Sequence, residues 1–121
     1  AQVGETALDD VEKHRVIPAR TAREVRDMLV LAVDKGTGTA ARIPGYKVAG
    51  KTGTAEIALK DGSGYAKGIY VASFVGMAPA DRPRLVVLVA VDGTGQYGGE
   101  AAAPAVQKIM SFSLQHLEIA P

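Results

Sequence analysis

Seven apolar residues in a row, Leu85-Val86-Val87-Leu88-Val89-Ala90-Val91, follow another β-prone segment, Ile69 to Met77, after the short turn Pro79-Ala80-Asp81-Arg82-Pro83. β-Branched runs of this length suit strands. A link so short cannot hold a parallel crossover, so the two strands pair antiparallel. An uninterrupted apolar strand reads as covered on both faces, which places it centrally between layers. Upstream, Tyr46 to Ile57 alternates loosely and reads as a strand with two glycines, Gly50 and Gly53, inside it. Interior glycine weakens a strand and marks a place where a ligand or another backbone comes close. The predicted strands are therefore 46–57, 69–77 and 84–91.

Helices flank them. Thr21-Ala22-Arg23-Glu24 has capping-box spacing, and Val25, Met28, Leu29 and Ala32 recur at helical intervals. Gly36 and Gly38 are expected to stop this helix by taking the left-handed conformation, giving a helix over 21–35. Pro104 suits the first turn of a last helix over 103–117, whose Val106, Ile109, Met110, Leu114 and Leu117 form an apolar stripe. Lys60–Gly68 and Gly93–Gly99 read as loops. The order helix, three strands, helix gives an α+β class, an antiparallel sheet flanked by helices. Residues 1–15, charge-dense around Asp9-Asp10-Val11-Glu12-Lys13-His14-Arg15, read as an arm before the unit 16–121.

Composition removes several function classes. Fourteen Lys and Arg against 13 Asp and Glu leave a net charge of +1, so no basic field for nucleic acid exists. With no cysteine and only two histidines, His14 and His116, the chain has neither a disulfide framework nor the ligands of a zinc site. No metal and no cofactor is expected. No stretch approaches a membrane span.

Two motifs overlap in the glycine-bearing strand. Gly45-Tyr46-Lys47-Val48-Ala49-Gly50-Lys51-Thr52 satisfies the phosphate-loop pattern G-x-x-x-x-G-K-[ST], and Leu88-Val89-Ala90-Val91-Asp92 could pass for a strand ending in a magnesium-binding aspartate. That pattern needs a buried strand before its first glycine and a helix opening at its lysine. Here Pro44 precedes Gly45 and Gly53 follows Thr52, so neither context is met. The second motif is Lys51-Thr52-Gly53-Thr54, a K-T-G element. On a strand, Thr52 and Thr54 point to one side about 7 Å apart, so two hydroxyls can grip one carboxylate. Lys51 adds a positive charge, and Gly53 has no side chain to hold a ligand off. On an edge strand a backbone N–H can face a developing oxyanion. These four residues alone fit a solvated edge strand equally well.

The flanks add weight. Gly36-Thr37-Gly38-Thr39-Ala40, Gly45-Tyr46, Val48-Ala49-Gly50-Lys51-Thr52-Gly53-Thr54-Ala55, Ala72-Ser73-Phe74-Val75-Gly76-Met77-Ala78-Pro79-Ala80, Tyr97-Gly98-Gly99 and Ala102-Ala103-Pro104 together resemble the C-terminal part of class B penicillin-binding proteins. The resemblance covers residues 16–121. It implies a share in a D,D-transpeptidase that cross-links peptidoglycan stem peptides through an acyl-serine and is acylated by β-lactams. It places the protein at the bacterial cell envelope, outside the cytoplasmic membrane, in cell division or cell-shape maintenance. Lys51 would polarise the site, and Thr52 and Thr54 would hold the substrate or antibiotic carboxylate. Gly53 would let the ligand lie along the strand, and the Thr54 N–H would serve the oxyanion. Tyr97, Gly98 and Gly99 would form a loop near the site, or simply a turn.

The departures are as informative. None of Ser63, Ser73, Ser111 and Ser113 has lysine three residues on, and the chain has no asparagine, so S-x-x-K and S-x-N are absent. Alone, the chain is expected to be inert. The family sheet has five strands, of which these resemble the last three. The expected partner is therefore the N-terminal remainder of the same domain, or a second copy by strand exchange, besides stem peptide and β-lactam. The arm at 1–15 folding back as a substitute strand is a further option. The alternative function is a noncatalytic binding or scaffold module on the same fold.

Overall fold

The computed structural model describes residues 14–121. The arm expected at 1–15 lies outside the described residues apart from His14 and Arg15. Helix α1 (Ala19–Asp34) leads through a 3₁₀ turn (Thr39–Ala41) to strands β1 (Ala49–Ala58), β2 (Tyr65–Ala78) and β3 (Leu85–Thr94). A one-turn helix α2 (Gly98–Ala101) and helix α3 (Ala103–His116) complete it. The strands form one antiparallel sheet in the order β1-β2-β3.

Helix α1 starts earlier than its capping box suggests. Pro18 is the N-cap, with no side-chain cap, and its carbonyl accepts the Ala22 N–H at 3.0 Å. Proline has no N–H to satisfy and a preset φ, so it can open the helix without a capping hydroxyl. Thr21 therefore lies inside the first turn, and Glu24 pairs with Arg20 at 2.8 Å instead of reaching back. The end of α1 also differs from expectation. Neither Gly36 nor Gly38 has positive φ; Lys35 is the C-cap. What requires glycine there is space: a Cβ on Gly36 would lie 2.9 Å from the Ala32 carbonyl oxygen, and one on Gly38 3.0 Å from the Phe74 ring.

Strand β2 is the central one, and it alternates. Ala72, Phe74, Gly76 and Ala78 are buried, while Val71, Ser73, Val75 and Met77 between them are half-buried. Helix α3 lies over the buried face with Val106, Met110 and Leu114, all fully buried at intervals of four residues. Each such side chain contributes about 1.5–3 kcal/mol by leaving water. Ile109 and Leu117, assigned to the same stripe from sequence, are 47% and 54% exposed, because the packed arc is narrower than the apolar one. Val33 of α1 joins Ile43, Val48 and Phe74 in this core. The chain end is tied down where the Tyr46 hydroxyl donates to the Ile119 carbonyl at 2.6 Å.

Strand β3 corrects the reading of its apolar run. Within the described sheet it is an edge strand, as expected without the family's first two strands beside it, but only one of its faces is covered. Val87 and Val89 pack on the core, whereas Val86 and Leu88 are 66% and 67% exposed. An all-apolar run carries no mark of which face is covered, so its composition cannot separate a central strand from a half-covered edge. Hairpin ends also shift. β2 begins at Tyr65 rather than 69, pairing with Ala58 across a register shift, and β3 runs on to Thr94.

Candidate functional site

Lys51, Thr52, Gly53 and Thr54 all lie in β1, whose paired side is β2 and whose other side is open among the described residues. No helix starts at Lys51, which settles the phosphate-loop reading against a P-loop. In register, Lys51 faces Val75, Thr52 faces Phe74, Gly53 faces Ser73 and Thr54 faces Ala72. The Lys51 ammonium folds over its neighbour, donating to the Thr52 carbonyl at 2.8 Å and to the Thr52 hydroxyl oxygen at 3.2 Å. One cation and two hydroxyls thus gather on an open strand edge, the donor set that suits a carboxylate.

The glycines inside β1 have a structural cause. A Cβ on Gly50 would come within 2.6 Å of the Phe74 ring, so Gly50 lets the strand settle on the largest fully buried side chain. On the far side of the site, Gly98 opens α2 directly against the sheet. A Cβ there would lie 2.2 Å from the Ser73 carbonyl oxygen and 2.6 Å from that of Gly53. This contact lets the Gly98 N–H donate to the Thr54 hydroxyl at 3.3 Å. That bond leaves the Thr54 hydroxyl proton available for a ligand. Tyr97, Gly98 and Gly99, read from sequence as a loop or simple turn, belong to the wall of the same cleft.

That cleft has a volume of about 640 Å³. Its wall is made by the α1–β1 turn with Thr37, by Thr52 and Thr54, and by Tyr97 to Glu100 with Pro104. Among the described residues Glu100 is the only charged side chain on it. The residue that sequence reasoning left out is Thr37, whose hydroxyl lies 3.1 Å from that of Thr52. The two are 15 positions apart and meet only because α1 turns back over β1. The signal was present in the Gly36-Thr37-Gly38-Thr39 turn, where a Cβ on Gly99 would strike the Thr37 carbonyl at 2.4 Å. Phe74 is core, and Tyr70 packs against Tyr97 with ring centroids 5.5 Å apart and ring planes tilted by 33°. Among the described residues no group of three or more acidic or histidine side chains could hold a metal.

The model of the penicillin binding protein transpeptidase domain matches residues 2–111. The chain belongs to this family. It is similar to stage V sporulation protein D of Bacillus subtilis, 47% identical over 114 residues, covering 92% of this chain and 17% of that protein. It is similar also to the probable peptidoglycan D,D-transpeptidase PenA of Neisseria gonorrhoeae, 43% identical over 111 residues, covering 88% of this chain and 19% of that one. Among solved structures, penicillin-binding protein 3 of Mycobacterium tuberculosis complexed with ampicillin superposes with a TM-score of 0.76 at 36% identity, covering 88% of this chain and 26% of that one. The chain therefore spans less than a fifth of these two curated relatives and about a quarter of the solved one. The α+β sheet flanked by helices is the family's fold.

Thr37→Val tests whether the added hydroxyl matters. Valine keeps the volume and removes one hydrogen bond that orients Thr52. On a carboxylate-clamp reading of these hydroxyls, the expected result is a three- to tenfold slower acylation of the completed domain by a β-lactam, the size of one such bond, with unchanged thermal stability by differential scanning fluorimetry.

Proposed function

We propose that this chain is the C-terminal part of a peptidoglycan D,D-transpeptidase domain and supplies the K-T-G strand of a serine acyl-transfer site. In this reading the remainder of the domain brings the S-x-x-K serine and the S-x-N element, and the site works at the bacterial cell envelope on cell-wall stem peptides. The substrate's terminal carboxylate sits against the Thr52 and Thr54 hydroxyls with Lys51 beside it. The serine oxygen attacks the adjacent amide carbonyl, the C–N bond breaks, the serine proton passes to the leaving amine, and an acyl-serine remains. A β-lactam follows the same first step, its leaving nitrogen staying tethered. The Thr54 backbone N–H stabilises the oxyanion, as an unpaired donor on an edge strand can.

The observation that carries this reading is the Lys51 ammonium held on Thr52 at 2.8 and 3.2 Å, at an open strand edge. A fluorescent penicillin is the test. It is expected to label the serine-bearing remainder when that segment is joined to or co-produced with this chain, and to leave this chain alone unlabelled. Covalent labelling of the isolated chain, or no labelling of the completed domain, overturns the proposal; the latter result is what a noncatalytic scaffold would give.

A further inference from the structure

We propose that Glu56 is a specificity-determining residue of the site, selecting acyl donors that carry an ammonium group on the side chain next to the scissile bond. This rests on the carboxylate-clamp reading above. Alternate strand residues share a face, so Thr52, Thr54 and Glu56 follow one another along one side of β1 at about 7 Å intervals. A donor whose carboxylate sits on the two threonines, and whose chain runs along the open edge, brings its side chain past Glu56. Across the sheet Glu56 is in register with Tyr70. Tyr70 packs at a tilt against Tyr97, and Tyr97 lies in the cleft wall. A carboxylate beside a pair of electron-rich rings is the set of groups that holds an ammonium ion.

The charge on Glu56 is uncommitted. The side chain is exposed and makes no ion pair or side-chain hydrogen bond among the described residues. Arg20 and Lys47, by contrast, already have carboxylate partners. Its field reaches the aromatic pair. The Tyr70 phenol is held above its ordinary pKa first by the neighbouring Tyr97, then by loss of solvent, and in part by the Glu56 carboxylate. At the threonine end the Lys51 ammonium is held on Thr52, so strand β1 carries positive charge where the ligand carboxylate belongs and negative charge farther along, beside a cleft wall that itself carries Glu100.

Three penicillins with the same phenyl side chain separate charge from shape: ampicillin has an ammonium on the side-chain α-carbon, benzylpenicillin a hydrogen, and carbenicillin a carboxylate. Acylation rate constants are measured on the completed domain, wild type, Glu56→Gln and Glu56→Lys. The ampicillin-to-carbenicillin ratio is expected to fall about fivefold in Glu56→Gln, the size of an exposed ion pair, and further in Glu56→Lys. Benzylpenicillin should stay within twofold throughout, showing that the variants fold and react. Acylation by all three with ratios unchanged in both variants overturns the role of Glu56 alone. Failure of all three to acylate the wild type overturns the transpeptidase reading and this inference with it.

Discussion

Lys51→Ala is expected to slow β-lactam acylation of the completed domain by about 10²–10³-fold, the usual loss on deleting an electrostatic donor from an acyl-transfer site. Two effects combine. Among the described residues the ammonium supplies the only cation beside the Thr52 hydroxyl, and through its bonds at 2.8 and 3.2 Å it also fixes where that hydroxyl points. Alanine removes the attraction for the ligand carboxylate and frees the hydroxyl to rotate. Lys51→Arg should recover little, because a planar guanidinium cannot replace a compact ammonium that folds back on its own strand. The side chain is exposed, so stability should change by no more than about 0.5 kcal/mol. Stopped-flow acylation with a chromogenic cephalosporin, alongside a thermal melt, checks both statements. A rate within threefold of wild type would remove Lys51 from the machinery.

Phe74→Ala should have the largest effect on stability, about 3–5 kcal/mol by denaturant titration of the completed domain. Phe74 is fully buried, and two glycines are shaped around its ring. Cβ atoms on Gly38 and Gly50 would lie 3.0 and 2.6 Å from it. The surrounding backbone therefore cannot easily collapse into the space that alanine leaves, and the cavity cost adds to the lost transfer energy. Because Phe74 is in register with Thr52, the loss should reach the site as well. Phe74→Leu, which keeps most of the volume, should cost well under half as much. A loss below about 1 kcal/mol for Phe74→Ala would mean that the β1–β2 hairpin is not held by this ring.

Much of this was legible in residue order. The Pro79–Pro83 turn is too short for anything but an antiparallel pair, and Val106, Met110 and Leu114 announce the buried side of α3. Lys51 to Thr54 could be picked out because a strand of period two turns their order directly into geometry. Other features were not legible, for identifiable reasons. A threonine with a glutamate three residues on fits a capping box wherever it falls, and only Pro18 decided the start of α1. The glycines after α1 were assigned to backbone freedom, whereas their neighbours in space, Ala32 and Phe74, are what exclude a side chain.

By itself, the sequence determined the three strands and the two long helices, their antiparallel pairing and the clustering of ammonium and hydroxyls on one strand. Each of these depends on residues a few positions apart, whose relation follows from the 2.0 or 3.6 repeat. Only the tertiary structure decided that Thr37 meets Thr52, that Gly98 backs onto Gly53 and Ser73, and that Glu56 stands with Tyr70 and Tyr97. Those meetings join segments distant in the chain. They depend on register and on how closely backbones can approach, which no local periodicity records.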